Sequence, residues 1–325
     1  MISVVIPVKN GETWIESCLA GIRKQTLFNQ IEILILDSGS TDNTLPILSQ
    51  YPFKLIHING AEFNHGSTRN IGVREAKGEY VLLTVQDARA AGKDWMERMV
   101  NVFKNDPEVS AVCGGQAVPH DSDKNPVDWY RPISALQVQK FQYSNNSFEK
   151  LSPEEKQFAC RWDNVNAMYK RSELLEIPFQ HLVFGEDMAW AKDALQSNRK
   201  IAYDSGAFVY HYHHETEDYI FKRLLTTWYF RYRHFGSLPP KDVLNFKKKL
   251  RIFKLLVFHS GKLSLGQQSY WWKYNMMRWK VRMKVFSMFH EALTKGESQL
   301  DQLHFQYCGI APQHTARQKQ GAQIN

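Results

Sequence analysis

Asp87 follows a strand-like run, Tyr80 to Thr84 (YVLLT), and stands between Gln86 and Ala88. It is one carboxylate where a cation site would use several, since Ala88 cannot ligate. Far along the chain, His211, His213 and His214 close another strand-like run, and on a strand His211 and His213 share one side. A neutral imidazole at His211 can complete the coordination of a cation held by Asp87, or bind phosphate. Nitrogen ligation favours Mn²⁺ over Mg²⁺, which prefers oxygen. The segment Asn64-His65-Gly66-Ser67-Thr68-Arg69-Asn70 places glycine, hydroxyl and guanidinium groups before a helix. A helix N-terminus with Arg69 beside it suits a diphosphate, with Asn70 close by. The plainer alternative makes Ser67 or Thr68 an N-cap and Arg69 a solvated side chain. Glu186 and Asp187 open a helix after Phe184-Gly185. The helix dipole alone favours acids there, yet a positioned carboxylate is also all that general-base catalysis needs.

Elements that gather these groups are legible as apolar runs. Ser3 to Val8 (SVVIPV) and Ile31 to Leu36 (IEILIL) read as buried parallel strands, as do Phe53 to Ile58 and Tyr80 to Thr84. Ile15, Leu19 and Ile22 recur at helical spacing, and Ser40, Thr41 or Asp42 can cap a helix carrying Leu45 and Leu48. A further helix is expected around Thr68 to Ala76. Alternation at this pitch specifies an open, mostly parallel α/β sheet with helices on both faces. Ligands of such sheets sit beyond the carboxyl ends of the strands, where Lys9-Asn10, Asp37-Ser38 and Gln86-Asp87 fall. The stretch from Gln116 to Gln157 is polar, contains four prolines and reads as a lid or acceptor loop. Strands near Asn164–Tyr169, Lys200–Tyr203 and Ala207–His211, with a helix from Glu186 to Ser197, complete the α/β part.

The order of these motifs carries a resemblance. VVIPVKNG followed by ILILDSGSTDNT is similar to the opening of family 2 glycosyltransferases of the GT-A fold. EFNHGSTRNIGV, LLTVQDA, FGEDMAWA and VYHYHH resemble the rhamnosyltransferase-like branch, and the match runs from Ser3 to His214. The resemblance implies a Rossmann-like catalytic domain at 1–215, with a nucleotide-sugar half at 1–115 and an acceptor half at 116–215. It implies that Pro7, Val8 and Asp37 hold the base, Asp37 accepting from a pyrimidine N3–H, although the turn sequence SGSTDN explains that aspartate unaided. Gln86-Asp87-Ala88 stands where the family carries a D-x-D metal motif, and with one acid missing a strong two-carboxylate site is in doubt. Asp187 is implied as the base that deprotonates the acceptor hydroxyl, with Glu186 orienting it. Trp162, Asp163 and Asn164 are implied on the acceptor side, the tryptophan stacking on a sugar or packing in the core. The function implied is inverting transfer of a sugar, with a deoxysugar such as rhamnose suggested by the branch. Nucleotide sugar and Mg²⁺ or Mn²⁺ are the implied co-substrate and cofactor. A glycan or lipid-linked molecule in surface polysaccharide assembly is the implied acceptor. Two alternatives stand: a sugar-nucleotide nucleotidyltransferase, which lacks its Gly-rich loop at Lys9-Asn10-Gly11-Glu12, and a non-catalytic assembly protein that keeps the fold.

Composition limits the rest. The 325 residues are 43% hydrophobic and 13% aromatic, which excludes general disorder. The four cysteines have no metal-like spacing and read as reduced, mostly buried thiols. No signal-peptide pattern or membrane-length apolar run occurs, so a cytoplasmic protein is expected, peripheral at most on the inner face of the membrane. Between Lys241 and Leu300 there are thirteen Lys or Arg against three acids, an excess of ten that leaves the remainder at −2. Within 216–311 this basic, aromatic helical extension presents Phe246, Leu250, Phe253 and Val257 as one stripe, then Trp271, Trp272 and Trp279 among bases. An anionic membrane surface, packing on the core and a homodimer partner all suit it. No nucleic-acid motif accompanies the bases. Residues 312–325 read as a disordered tail.

Overall fold

The computed structural model describes residues 1–131, 136–144, 146–241, 246–258 and 260–309, so the tail expected at 312–325 lies outside them. The strands are β1 (Ile2–Val8), β2 (Ile31–Asp37), β3 (Lys54–His57), β4 (Tyr80–Thr84), β5 (Arg89–Ala90), β6 (Val109–Ala117), β7 (Val138–Phe141), β8 (Asn166–Lys170) and β9 (Lys200–Tyr210). The helices are α1 (Ile15–Arg23), α2 (Thr44–Leu48), α3 (His65–Glu75), α4 (Trp95–Asn105), α5 (Pro153–Ala159), α6 (Arg171–Glu176), α7 (Glu186–Gln196), α8 (Glu217–Phe235), α9 (Phe246–Phe258), α10 (Leu265–Thr294) and α11 (Glu297–Cys308).

Residues 1–117 and 131–212 form one compact unit and 118–130 with 213–325 a second. In the first, the sheet order is β3-β2-β1-β4-β8-β6-β9-β5, with β7 paired to β9. β1 lies parallel to β2 and β4, and β6 parallel to β9. β8 runs antiparallel to both β4 and β6. The carboxyl ends of β1, β2, β4, β6 and β9 and the start of β8 therefore share one edge.

Every β1 residue is buried, because both faces of this sheet are covered. Val4, Ile6, Ile33 and Ile35 pack with Ile15, Leu19 and Ile22 of α1 and with Met96, Met99 and Phe103 of α4. On the opposite face α3 approaches β1 closely at Gly72, where a Cβ would lie 2.5 Å from Val5 Cγ1. All four cysteines are free and buried, and burial pushes the Cys18 thiol up to about 12, so these thiols are inert.

Three features depart from expectation. β6 was not anticipated, because VSAVC passes into Gly114-Gly115 and loses its strand signature. The run from Lys200 is a single strand ending at Tyr210, so His211 and His213 follow the strand and the argument from alternating strand positions does not apply to them. Val118–Tyr130, expected within 116–215, packs instead in the second unit. There Trp129 joins Leu225, Trp228, Ile252, Leu256, Trp271, Val285 and Phe289 in one core. Asn125 and Asn275 exchange amide hydrogen bonds of 3.1 and 3.0 Å, and Arg278 of α10 reaches Asp128 at 2.6 Å. Of the readings open for Trp271, core packing is the one this structure shows: it is buried in that core and donates to Ser122 O at 3.3 Å.

Candidate active site

The shared edge of the sheet collects most of the groups singled out above. Val8 pairs with Asp37 at the ends of β1 and β2, and Val8 O accepts from Ser38 N at 3.0 Å. The Asp37 carboxylate turns back on its own loop, accepting from Gly39 N at 3.1 Å, Ser40 N at 3.2 Å and Ser40 Oγ at 2.5 Å. Gly39 makes this turn at φ +88°, in the left-handed region open to glycine. Pro7 and Val8 present backbone beside it, buried at the side chain.

Gln86 does not reach outward. Its side chain is 1% exposed and clamps the Lys9 backbone, Oε1 accepting from Lys9 N at 2.9 Å and Nε2 donating to Lys9 O at 3.2 Å. The amide ties the end of β4 to the end of β1, a task an aspartate could not perform because it has no donor. Gln86, expected beside the nucleotide, is here a clamp on the Lys9 backbone, and Ala88 after Asp87 has no ligating atom.

Asp87 Oδ1 lies 3.6 Å from His211 Nε2. His211 Nδ1 meets Gln116 Oε1 at 2.6 Å, and the Gln116 amide donates to Asp163 Oδ2. Since Nε2 of Gln116 donates, its Oε1 must accept, so His211 Nδ1 carries a proton. In the neutral form of such a ring the Nε2 lone pair is on the side of the Asp87 carboxylate. Two acceptors facing each other at this separation, with the imidazole oriented from behind, fit a divalent cation. Gln116 was missed in the sequence because its role depends wholly on a tertiary neighbour at the end of an unanticipated strand.

Asp163 links this pair to the acids of α7. Its Oδ1 accepts from Val165 N at 2.8 Å. Asn164 N approaches Asp187 Oδ2 at 3.4 Å, and Asp187 Oδ1 accepts from Met188 N at 2.7 Å. Burial, then the charges of Glu186 and Asp163, push the Asp187 carboxyl well above the usual carboxylate range, against opposing pulls from Met188 N–H and Arg69. Such a carboxyl is a stronger base than a free aspartate once ionised.

Arg69 and Glu186 form a buried ion pair through Nη1 and Oε1. Arg69 Nε is buried without a hydrogen-bond partner. Asn64, not Ser67 or Thr68, caps α3, accepting from Ser67 N at 3.0 Å. Asn70 exchanges hydrogen bonds with Phe179 O at 2.8 Å and Phe179 N at 3.0 Å, and Asn64 donates to Leu182 O at 2.7 Å. The segment 179–182 thus engages the start of α3. Arg69 and Asn70, both expected beside the diphosphate, are bonded to protein in this structure, Arg69 through Nη1 and Asn70 through both ends of its amide.

Trp162 is 3% exposed, with Tyr169, Trp190 and Tyr203 around it, which leaves no ring face for a sugar. Its Nε1 donates to Tyr169 OH at 2.7 Å, and that hydroxyl donates to Asn164 Oδ1 at 2.5 Å. Asn164 is buried as well, its Nδ2 3.5 Å from Glu186 Oε1. Of the three acceptor-side residues, Asp163 alone keeps partial exposure.

The family model for glycosyl transferase family 2 matches residues 3–168. The chain is 32% identical over 234 residues to the O-antigen chain rhamnosyltransferase RfbN of Salmonella typhimurium, covering 70% of this chain and 71% of that protein. It is 35% identical to the O-antigen chain rhamnosyltransferase WbaN of Salmonella anatum, covering 69% and 70%. Among solved structures it resembles S. aureus TarS in complex with UDP-GlcNAc, with TM-score 0.53 and 17% identity over 89% of this chain and 91% of that one. The Pyrobaculum calidifontis mannosyltransferase PcManGT, in complex with GDP-Man and Mn²⁺, gives TM-score 0.53 and 18% identity over 88% and 86%. These structural likenesses show the GT-A fold. Matched by the family model over half its length and by relatives above 30% identity over more than two thirds of it, the chain belongs to glycosyl transferase family 2.

Proposed function

We propose that this inverting glycosyltransferase moves rhamnose from a nucleoside-diphosphate donor to a hydroxyl of a growing surface glycan carried on a lipid. The observation that carries the mechanism is the line Asp87–His211–Gln116–Asp163, with Asp187 adjoining it through the Asp163-Asn164 segment. Asp187 takes the proton of the acceptor hydroxyl. The oxygen attacks the anomeric carbon while the bond to the diphosphate oxygen breaks, and the configuration inverts. A Mn²⁺ or Mg²⁺ ion held by Asp87 and His211 supplies, when bound, positive charge for the departing diphosphate. Gln116 keeps the imidazole in the ligating tautomer, and the Arg69–Glu186 pair sets the charge beside the base. The rate then comes from positioning and electrostatics. The rhamnose assignment rests on the two Salmonella relatives. Family membership sets aside the nucleotidyltransferase alternative.

Among the described residues no helix is long and apolar enough to cross a membrane. On α9 the stripe Phe246, Leu250, Phe253 and Val257 is exposed, 77% at Phe246 and 54% at Phe253, while Ile252 and Leu256 face the core. Lys247, Lys249, Arg251 and Lys254 flank it, also exposed. This amphipathic arrangement supports docking of α9 on an anionic bilayer, at the inner face where a lipid-linked acceptor would be presented.

The test is to offer the pure protein dTDP-rhamnose and other nucleotide sugars, with and without Mn²⁺, and to measure thermal stabilisation and sugar release. Stabilisation and release selective for the rhamnose donor are expected. Equal response to unrelated sugar donors would refute the sugar assignment.

A further inference from the structure

The line Asp163–Gln116–His211 draws its side chains from three segments that meet at the sheet edge: the approach to β8, the end of β6 and the residues after β9. β6 and β9 do not reach that edge in simple register. Gly114 pairs with Asp204 but Gly115 pairs with Phe208, so β9 carries Ser205, Gly206 and Ala207 as a bulge. Beyond it Tyr210 faces Ala117, and His211 N donates to Ala117 O at 3.0 Å. Without the bulge Ala117 would face Ala207, about 10 Å earlier along the strand, and His211 would not meet Gln116.

Asn166, the first residue of β8, is fully buried and bridges the ladder where the bulge interrupts it. Its Nδ2 donates to Gly115 O at 2.8 Å and to Ala207 O at 2.9 Å, and its Oδ1 accepts from Trp95 Nε1 of α4 at 2.8 Å. Gly114 leaves room for this: a Cβ there would lie 2.0 Å from Ala207 O and 2.3 Å from Asn166 Nδ2. Asp204 holds the start of the bulge, its Oδ1 accepting from Gly206 N at 2.8 Å and from Arg98 Nη2 at 3.1 Å. A buried amide costs stability unless its donors and acceptor are met, and here they are. What the amide adds is register between strands whose own bonds are broken at that point. We propose that Asn166 is a positioning residue for the cation site: it joins the segments that carry Asp163, Gln116 and His211, and so fixes His211 Nε2 opposite Asp87. The role rests on the proposed holding of a cation by Asp87 and His211.

The experiment titrates the full chain with Mn²⁺ by calorimetry, alongside thermal unfolding. Wild type and His211→Ala come first: no binding by wild type, or equal binding by His211→Ala, removes the cation site and the positioning role with it. Given a His211-dependent site, Asn166→Ala should raise the Mn²⁺ Kd about tenfold, the lower end of what loss of a ligand-orienting partner costs. In a Gln116→Leu background, where the imidazole is already released, the same change should cost less than in wild type. A purely structural asparagine would instead lower the melting temperature and leave the Kd of the folded protein unchanged. Should Asn166→Ala not fold, Trp95→Phe removes the donor that orients the amide while keeping an aromatic ring, and a raised Kd is again expected. With the His211-dependent site established, unchanged Mn²⁺ affinity in the folded variants, or full additivity with Gln116→Leu, overturns the positioning role alone.

Discussion

Replacing Arg69 by Met separates two readings of that side chain. In the structure its guanidinium is buried against Glu186, whose other donor among the described residues is Asn164 Nδ2 at 3.5 Å. Removing one member of a buried ion pair leaves the other charge uncompensated and costs about 3–5 kcal/mol. In a unit of this size each kcal/mol shifts the melting temperature by about 2–4 °C, so a fall of roughly 10 °C is expected. Glu186 raises the Asp187 pKa and Arg69 lowers it, so the same substitution moves the acid limb of the activity profile to higher pH. Donor KM should change little. In a double-mutant cycle, Arg69→Met with Glu186→Gln should lose less than the sum of the single losses, by about 1–3 kcal/mol. Thermal unfolding and initial-rate kinetics from pH 5 to 9 supply every quantity. An Arg69→Met protein with wild-type melting and a large rise in donor KM would refute the ion-pair reasoning and place the guanidinium on the diphosphate.

Asp187→Asn should abolish transfer while donor binding persists, and wild-type turnover in that variant would end the base assignment. Because the folded pKa of Asp187 is raised, activity is present above that value and lost as pH falls through it; an acid limb at the ordinary aspartate pKa would contradict this. Stability runs oppositely, since the ionised carboxylate is disfavoured above the unfolded pKa, so Asp187→Asn should melt higher than wild type at neutral pH and equally below both values. Gln116→Leu frees the His211 tautomer and should weaken Mn²⁺ binding by about 10–100-fold, read by titration of the ion; unchanged affinity would remove His211 from the site. Phe253→Glu should abolish co-sedimentation with anionic vesicles at moderate salt, while a concentration-dependent dimer lost in the same variant would assign the α9 stripe to a second copy.

The parts of the fold legible in the sequence are those set by local pattern. β1, β2 and β4 are continuous runs of β-branched and apolar residues, and such runs have few alternatives once both faces are covered. Asp37, Asp87 and the pair at α7 could be singled out as candidates because the ends of those strands and that helix could be located. What was not legible depends on neighbours remote in the chain. Trp162 and Asn70 have the residue types of a binding site, yet Tyr169 and Phe179 engage them from 7 and 109 positions away. Gln86 looked like an outward ligand until the Lys9 backbone, 77 residues earlier, was found between its oxygen and nitrogen. Gln116 carries no local signal at all, since an amide acquires meaning here through the histidine and aspartate it joins.

The excursion of Val118–Tyr130 into the helical unit has a consequence for synthesis. Asn125 must wait for Asn275, 150 residues later, before their amides can pair, and Trp129 waits still longer for Phe289. At about 5–20 residues per second the ribosome takes roughly 10–30 s to supply them. During that interval the strands on either side of the excursion can already be assembling, with Val118, Val127 and Trp129 uncovered between them. A nascent chain of this kind would suit a holding chaperone, and the arrival of Asn275 and Phe289, rather than closure of the sheet, would set when this core can form. Cutting the gene after Tyr212 would make that waiting state permanent.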